Sequence, residues 1–305
     1  MRSADPATEG GYPFLKGHGT ENDFVLLPDP DGTVHGELAG DRVRALCDRR
    51  AGIGGDGVLR VIRTAALQDL CGVGRGQDAE WFMDYRNSDG SVSEMCGNGV
   101  RVFGRYLALA GLVDPAGPVP VGTRDGVKVL TFAGGAADGA ITVDMGTPKV
   151  LGETVVSIGE RSWPAVHVDM GNPHAVAFLG TEGEGADLAE VGPLLDAPVH
   201  DPEVYPHGVN VEFVVRRGPA HVAMRVHERG SGETRSCGTG ACAVAAATAL
   251  ADAGAGGAGG AGGDGREVDY RVDLPGGTLV IRWTADDRIL MTGPALLVAT
   301  GTTTL

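Results

Sequence analysis

The chain has 305 residues, of which 51 are glycine, and a formal net charge of −15. At about 150 residues per domain, this length suggests two domains. The acidic balance argues against a nucleic-acid partner, which normally meets a basic surface. No apolar run approaches the roughly 18 residues of a membrane-spanning helix, and the N-terminal segment lacks the apolar core of a signal peptide. We therefore expect a soluble cytoplasmic protein whose five cysteines are reduced.

Alternating and β-branched segments bounded by Gly, Pro or Asp predict a chain rich in strands. The predicted strands are 23–27, 58–62, 80–85, 127–132, 141–145, 165–170, 174–179, 209–215, 221–227, 268–274, 278–283 and 289–292. The predicted helices are 41–50 (capped by Asp41), 97–110, 186–195 and the alanine-rich 238–253. Many strands with few helices favour an α+β fold over a doubly wound sheet. The low-complexity run at 253–265 is typical of a flexible surface loop.

The two long helices open alike, with Cys96 starting C-G-N-G and Cys237 starting C-G-T-G. A predicted strand runs into Asn87, nine residues before Cys96, and another runs into Glu228, nine residues before Cys237. Earlier in each half, a Gly/Asn loop (GTENDF or GNPHAV) leads into a strand. This ordered repetition predicts two similar domains that face each other, each offering one cysteine at a helix start. The predicted domains are 1–145 and 146–292, with the tail 293–305 returning to the first.

A cysteine at a helix N-terminus meets the positive end of the helix dipole, which favours the thiolate and lowers the thiol pKa. Cys96 and Cys237 are therefore interpreted as reactive, and the other three cysteines as small packing residues (Cys47, Cys71 and Cys242). A zinc site is a weaker alternative, because no CxxC pair or HExxH is present. GIGGDG matches the dinucleotide pattern, but it follows a predicted helix and precedes a strand, the reverse of the required order.

Two facing thiols suit a two-base inversion of a carbon centre. One thiolate removes a proton, and the opposite thiol returns a proton to the other face. The carbon would lie next to a carboxylate, which backbone N–H groups at the two helix starts can bind and stabilise. Gly97-Asn98 and Gly238-Thr239 are placed for this contact.

The segments NSDGSVSEMCGNGVR, MGNPHAV and ERGSGETRSCGTGAC resemble the diaminopimelate epimerase family, and the resemblance extends from residue 14 to residue 294. It implies two pseudo-symmetric domains, each a barrel-like, mostly antiparallel sheet around a central helix. It also implies a pyridoxal-phosphate-independent isomerase that interconverts LL- and meso-diaminopimelate, in lysine and peptidoglycan precursor synthesis. The implied partner is this small molecule, with no metal or organic cofactor. Some members form homodimers.

By the same resemblance, Cys96 and Cys237 are the acid/base pair, with Cys96 usually drawn as donor and Cys237 as acceptor. His174 and Glu228 would assist the thiols. The implied substrate-binding residues are Asn22, Asn87, Gly97, Asn98, Asn172, Asn210, Glu228, Arg229, Gly238 and Thr239. Arg229 suits a bidentate carboxylate contact. Outside these motifs, each asparagine would be read as a turn former and His174 as a structural histidine.

The chain departs from the family pattern at three places. Gly57 stands where members often have a substrate-contacting glutamine, and GTEND replaces G-x-G-N-D with Asn22 intact. Ala299 stands where some members have an aromatic residue that supports dimer formation. Two alternatives stay open: a proline or hydroxyproline racemase of the same fold, and a redox or binding protein with a switchable disulfide. Arg229 and the four asparagines favour a longer substrate with a second charged end.

Overall fold

The computed structural model describes residues 10–180, 186–254 and 267–305. The first nine residues and most of the predicted Gly/Ala loop, 255–265, lie outside this description. None of the described helices is long and apolar enough to cross a membrane. The chain divides into two compact units, one formed by Met1–Val143 with Pro294–Leu305 and the other by Asp144–Gly293.

Strands dominate both units, which confirms the α+β class. In chain order the strands are β1 (Tyr12–Gly19), β2 (Asn22–Pro28), β3 (Gly57–Arg63), β4 (Trp81–Asn87), β5 (Val119–Thr123), β6 (Gly126–Phe132), β7 (Ile141–Asp144), β8 (Lys149–Ile158), β9 (Arg161–Asp169), β10 (Pro173–Phe178), β11 (Val199–His200), β12 (Asn210–Gly218), β13 (His221–Glu228), β14 (Gly232–Thr234), β15 (Asp269–Leu274), β16 (Gly277–Trp283), β17 (Ile289–Gly293) and β18 (Leu296–Thr303). The helices are α1 (Gly40–Cys47), α2 (Thr64–Cys71), α3 (Gly97–Leu109) and α4 (Gly238–Gly254).

In the first unit, β18, β1 and β2 pair antiparallel, and β2 then pairs parallel with β3. The order continues with β3 antiparallel to β4, β4 parallel to β5, and β5, β6 and β7 antiparallel. Helix α3 connects β4 to β5 and is buried along almost its whole length, with Val100, Phe103 and Leu107 fully inside. The sheet of this unit is therefore built around one apolar helix.

The second unit repeats this pairing pattern strand for strand. Strands β8, β9 and β10 pair antiparallel, β10 pairs parallel with β12, and β12 pairs antiparallel with β13. Strand β13 then pairs parallel with β15, and β15, β16 and β17 are antiparallel. The short strands β11 and β14 are added at β8 and β13. Helix α4 occupies the position of α3, and its small side chains, such as Ala243 and Ala246, are buried.

Some predicted elements differ in the structure. Residues 186–195 form only a 3-10 turn, Leu188–Val191, because Gly192 leaves it with φ +68° and Pro193 blocks continuation. Helix α1 begins at Gly40 after Ala39, so Asp41 lies in its first turn and is not the cap. Helix α2 and several strands were not predicted from the sequence (β1, β5, β8, β11, β14 and β18).

Gly17 explains why β1 is hard to recognise. This glycine-bearing strand runs close against its neighbour, and a Cβ at Gly17 would lie 2.7 Å from the Leu296 carbonyl oxygen and 2.8 Å from Val102. A side chain at this position would therefore push β1 away from β18 and α3. The sequence shows only a weak strand pattern because close packing excludes larger residues here.

His35 is buried beside the Tyr12 ring, with ring centroids 4.7 Å apart in an edge-on arrangement. Neither of its ring nitrogens has a hydrogen-bond partner in the described part of the chain. Burial, assisted by Arg42, lowers the pKa of His35 from 6.5 to about 4. Below pH 6.5 the imidazole of His35 binds a proton in the unfolded chain but not in the folded chain. The contribution of His35 to the free energy of unfolding is therefore fully present above pH 6.5 and is lost as the pH falls toward 4. The full effect is about 3 kcal/mol.

Replacing His35 with phenylalanine should flatten this pH dependence. The free energy of unfolding, measured by urea denaturation between pH 7 and pH 4, is expected to fall less steeply in His35→Phe than in the parent chain. The carboxylates that titrate in this range are common to both proteins, so the difference in slope belongs to His35. The exposed His207→Gln serves as the control and should keep the parent slope. Equal slopes for the parent and His35→Phe would contradict the buried neutral state.

Candidate active site

Most of the predicted site residues lie in two clusters, one in each unit, and each cluster also contains a carboxylate that the sequence did not single out. The Cys96 cluster consists of Cys96, Asn22, Asn98 and Asp56. The Cys237 cluster consists of Cys237, Thr239, Asn172, His174, Glu212 and Glu228. In each cluster the cysteine stands immediately before the long central helix, at the end of that helix where the dipole is positive.

Cys96 is the N-cap residue of α3, and its Sγ accepts a hydrogen bond from the Gly99 amide at 3.4 Å. Its thiol donates to Asn22 Oδ1, which lies 3.6 Å from Sγ. The same oxygen accepts from Asn98 Nδ2 at 3.2 Å. Buried Arg101 donates to Asn98 Oδ1 at 2.9 Å, which turns the amide nitrogen of Asn98 toward Asn22.

Asp56 fixes the other end of the Asn22 carboxamide. Asn22 Nδ2 donates to Asp56 Oδ2 at 2.8 Å, and the Asp23 amide donates to the same oxygen at 3.2 Å. Arg49 donates hydrogen bonds to the side-chain carboxylates of both Asp23 and Asp56 and holds them beside each other. A carboxylate only accepts hydrogen bonds, so Asp56 must face the NH₂ group of Asn22. The carbonyl oxygen of Asn22 is thereby left facing Cys96.

Cys237 has the same relation to α4 that Cys96 has to α3. Its Sγ accepts from the Gly240 amide at 3.3 Å and lies 3.6 Å from the Thr239 hydroxyl. A Cβ at Gly240 would lie 2.7 Å from Glu212 Oε1 and 3.2 Å from Sγ, so glycine is required at this point of closest approach. The matching N-terminal contacts confirm that the repeated C-G-x-G segments have the same local structure.

The pKa of Cys237 differs from the sequence-based expectation. Burial raises it well above its ordinary value of 9.0, and the nearby carboxylates of Glu228 and Glu212 raise it further. The Thr239 hydroxyl and the Gly240 amide lower it, but by less. The prediction that the helix start alone lowers the thiol pKa is therefore wrong for Cys237, because the dipole acts against desolvation and two negative neighbours.

Glu228 ends β13 and is hydrogen-bonded to both the Thr234 hydroxyl and the Cys237 thiol. Burial raises the pKa of its carboxyl above the usual 4.5, whereas the two hydrogen bonds lower it. The half-buried Glu228 and the buried Cys237 thus form a pair in which a proton can pass between sulfur and oxygen. Such coupled groups titrate as a pair.

His174 lies on β10 and is completely buried together with Glu212. Its Nδ1 is 2.6 Å from Glu212 Oε1, and its Nε2 is 3.0 Å from Asn172 Oδ1. Asn172 Nδ2 donates to the Thr239 hydroxyl at 3.4 Å, which completes a path to Cys237. The residues from Glu212 to Cys237 therefore form one hydrogen-bonded chain.

Asn210 and Arg229 lie together beside this chain. Asn210 Nδ2 donates to the Pro173 carbonyl at 3.2 Å, and its Oδ1 accepts from the Arg229 amide at 2.9 Å. Arg229 is exposed. Within the described part of the chain, its guanidinium donates one hydrogen bond, to the His207 carbonyl at 3.5 Å. The guanidinium therefore keeps donors that can bind a carboxylate.

Asn87 is placed differently from the other predicted residues. It pairs with Gly57 across β3 and β4, and its Nδ2 donates to Ser91 Oγ at 3.0 Å. No hydrogen bond described for its side chain joins it to Cys96. Sequence reasoning also classed Cys71 as a packing residue, but it is exposed at the end of α2. Its position in the last turn of a short amphipathic helix accounts for this difference.

Glu212 and Asp56 were not singled out from the sequence. Glu212 is two residues after Asn210 on β12, so both side chains lie on the same face of the strand. A carboxylate within the buried run NVEFVV was the available signal, because such a group requires a partner. Asp56 follows GIGG and offered no comparable pattern. In the described parts of the chain, no three His, Cys, Asp or Glu side chains are grouped to hold a metal ion.

Comparison with known proteins gives a consistent result. The family model described as diaminopimelate epimerase matches residues 14–151 and 166–298. The diaminopimelate epimerase of Streptomyces coelicolor is 58% identical, and the match covers 94% of each chain. That of Rhodococcus jostii is 47% identical over 95% of this chain and 96% of its own. That of Corynebacterium glutamicum is 45% identical over 95% and 97%.

Solved structures share the fold at low sequence identity. A hydroxyproline epimerase from Agrobacterium vitis matches with a TM-score of 0.64 and 16% identity, covering 97% of this chain and 93% of its own. A Bacillus anthracis phenazine biosynthesis protein matches with a TM-score of 0.61 and 14% identity, covering 96% and 98%. At these identities the likeness concerns the architecture alone.

Proposed function

Because the chain belongs to the diaminopimelate epimerase family, we propose that Cys96 and Cys237 are the acid and base that invert one α carbon of diaminopimelate. The chain is an isomerase, and its activity is the epimerisation of diaminopimelate. The interconverted forms are LL- and meso-diaminopimelate, which places the activity in lysine and peptidoglycan precursor synthesis. The proline and hydroxyproline racemase alternative is not favoured, because the relatives at 45–58% identity are diaminopimelate epimerases.

The observation that carries the proposed residue roles is the matched pair of helix-start thiols. Each sulfur accepts a hydrogen bond from the backbone amide three residues further along the chain. Each also lies within hydrogen-bonding distance of a side chain, a carboxamide for Cys96 and a hydroxyl for Cys237. One sulfur removes the α proton as thiolate, and the other supplies a proton as thiol. After turnover the two protonation states are exchanged, so the reverse reaction starts from the opposite arrangement.

First-turn amides at Gly97-Asn98 and Gly238-Thr239 would bind the carboxylate next to the reacting carbon. Negative charge develops there when the α proton leaves, and the helix N-termini stabilise it. The exposed Arg229 guanidinium would bind the distal carboxylate, with Asn210 holding its backbone in place. Glu228 would take the Cys237 proton when that sulfur acts as base, since the two groups are already hydrogen-bonded.

Three further features belong to the proposal. The reaction uses neither metal nor organic cofactor, because the thiols and backbone amides supply acid, base and charge stabilisation. The protein acts in the cytoplasm, where its five free cysteines stay reduced, and it takes no nucleic-acid partner because its net charge is −15. Some members of the family form homodimers, and a homodimer of this chain would lack the aromatic contact that Ala299 replaces.

Solvent exchange tests the function directly. Purified protein incubated with LL-diaminopimelate in D₂O, with no added metal or pyridoxal phosphate, should form the meso isomer with deuterium at the inverted α carbon. Mass spectrometry measures incorporation, and chiral chromatography measures inversion. Absence of both on diaminopimelate, together with turnover of L-proline, would overturn the assignment. Inactivity on all amino acids with a reversible change in thiol titre would instead favour the redox alternative.

A further inference from the structure

The Glu212–His174 pair has no counterpart at the equivalent positions of the first unit. Parallel pairing places His174 opposite Asn210 in the second unit and Phe24 opposite Gly57 in the first. Two residues further along these strands, Glu212 corresponds to Leu59. Phe24 and Leu59 pack behind the helix start at Gly99, with Leu59 Cδ2 3.3 Å and Phe24 Cζ 3.5 Å from a Cβ built there. The fold therefore accepts two apolar side chains where the second unit buries a charged pair.

Burying a carboxylate and an imidazole costs desolvation free energy that an apolar pair avoids. Since the same architecture is completed by phenylalanine and leucine in the first unit, packing does not explain Glu212 and His174. Their hydrogen bonds lead to Asn172, Thr239 and finally Cys237. The explanation should therefore lie in the effect of these hydrogen bonds on the Cys237 sulfur.

The direction of each hydrogen bond follows from the first. Glu212 as a carboxylate only accepts, so His174 Nδ1 carries a proton. Nε2 faces the carbonyl oxygen of Asn172 and donates to it only when the ring carries a second proton. Asn172 then presents its NH₂ group to Thr239, whose oxygen accepts this bond. The Thr239 hydroxyl hydrogen is left to donate to Cys237 Sγ.

We propose that Glu212 is a positioning residue. By keeping the second proton on His174, it turns the Asn172 carboxamide and directs the Thr239 hydroxyl toward Cys237. The Cys96 cluster has the opposite polarity. There Asp56 faces the NH₂ group of Asn22, so the carbonyl oxygen faces the sulfur and accepts from it. Asn22 and Asn172 are equivalent in the two units, but Asp56 and Glu212 are not. These two carboxylates thus orient the two asparagines in opposite directions. Cys237 receives a hydrogen-bond donor, which offsets part of the increase in its pKa caused by burial, Glu228 and Glu212, and Cys96 receives an acceptor.

Several ionisable groups act on His174 besides Glu212. Glu228 lies on β13 and Cys237 precedes α4, and both belong to the same cluster. His167 on β9 is electrostatically coupled to His174, and Asp169 acts on His167 from the same strand. Glu212 is the group in direct contact with the ring, at 2.6 Å, so its removal should have the largest effect on the ring proton.

The experiment uses Glu212→Gln, which keeps the side-chain size and one acceptor oxygen but removes the charge. In ¹⁵N NMR spectra of the full chain without substrate, the His174 ring should be doubly protonated at pH 7 in the parent and neutral in the variant. The kcat for diaminopimelate should fall about 10- to 100-fold, by analogy with the loss of the carboxylate that orients a metal-bound histidine. The exposed Glu203→Gln is the matched control and should change neither readout.

A double-variant comparison separates positioning from general damage. In a Thr239→Val background, Glu212→Gln should reduce kcat by much less than it does alone, because both changes remove the same hydrogen bond to Cys237. Additive losses would overturn the proposal. A neutral His174 ring in the parent would also overturn it, and this result does not depend on the variant folding. The inference rests on the proposed role of Cys237. The ring is observed without substrate, so an inactive parent with a doubly protonated ring would count against the function alone.

Discussion

Serine in place of either Cys96 or Cys237 is expected to lower diaminopimelate epimerisation by about 10²- to 10⁴-fold, the contribution of a positioned acid or base. The serine hydroxyl is close in size to the thiol, but it is far less acidic and does not form the anion that removes an α proton. In the proposed mechanism each thiol serves in both reaction directions, so the loss should be severe for both substitutions. The measurement is the rate of deuterium incorporation and inversion, starting from each isomer.

The control for these variants is Cys71→Ser. Cys71 is a free thiol exposed at the end of α2, so its replacement should leave the rate unchanged. Parent-like epimerisation by Cys96→Ser or Cys237→Ser would refute the two-thiol assignment. Circular dichroism of each variant distinguishes loss of chemistry from loss of fold.

The second large effect is expected for Glu228→Gln, with a loss in kcat/KM of about 10²-fold, at the lower end of acid–base contributions. Glutamine can still contact the Thr234 hydroxyl but no longer takes a proton from Cys237. The negative charge of Glu228 raises the pKa of Cys237, so its removal should lower that pKa. The rising limb of the profile of kcat/KM against pH should therefore move to lower pH while its maximum falls.

This combination is diagnostic because a merely structural role would lower the maximum without moving the limb. Glu203→Gln, which removes an exposed carboxylate from the same unit, should leave both the height and the position of the profile unchanged. A Glu228→Gln profile with the parent maximum would contradict the proton-accepting role. A limb displaced to higher pH would contradict the electrostatic relation between Glu228 and Cys237.

The sequence predicted the central elements of both units because their patterns are local. The repeated C-G-x-G segments located both helix starts, and runs rich in β-branched residues located inner strands such as β3, β12 and β13. Strands β8 and β18 were missed because they are largely exposed, as at Leu151 and Val298, and lack an alternating buried face. The repeated motifs predicted that the two units have similar strand orders. The register of the strand pairs could not be predicted, because several of the strands were missed.

The site was predictable as a set of residues but not as a network. The resemblance to the family's motifs brought Asn22, Asn172, His174 and Glu228 into consideration. It gave no indication that Asp56 and Glu212 orient two of them, because these contacts join residues that are 34 and 38 positions apart in the sequence. The pKa of Cys237 was predicted in the wrong direction for the same reason. The helix start is visible in the sequence, whereas the burial and the two carboxylates around the sulfur arise only from the tertiary structure.

The alanine-rich α4 limits how far the two halves are interchangeable. Its buried positions hold small side chains, and Val244 and Thr248 stand at the positions equivalent to Phe103 and Leu107 of α3. Interiors are packed at near-crystalline density, so strands around α4 leave no room for the larger side chains of α3. A chimera with α3 grafted into the second unit would be overfilled, and its reactive sulfur would be displaced from Glu228. Each half has thus become fitted to its own helix, and volume as well as chemistry keeps the two thiols distinct.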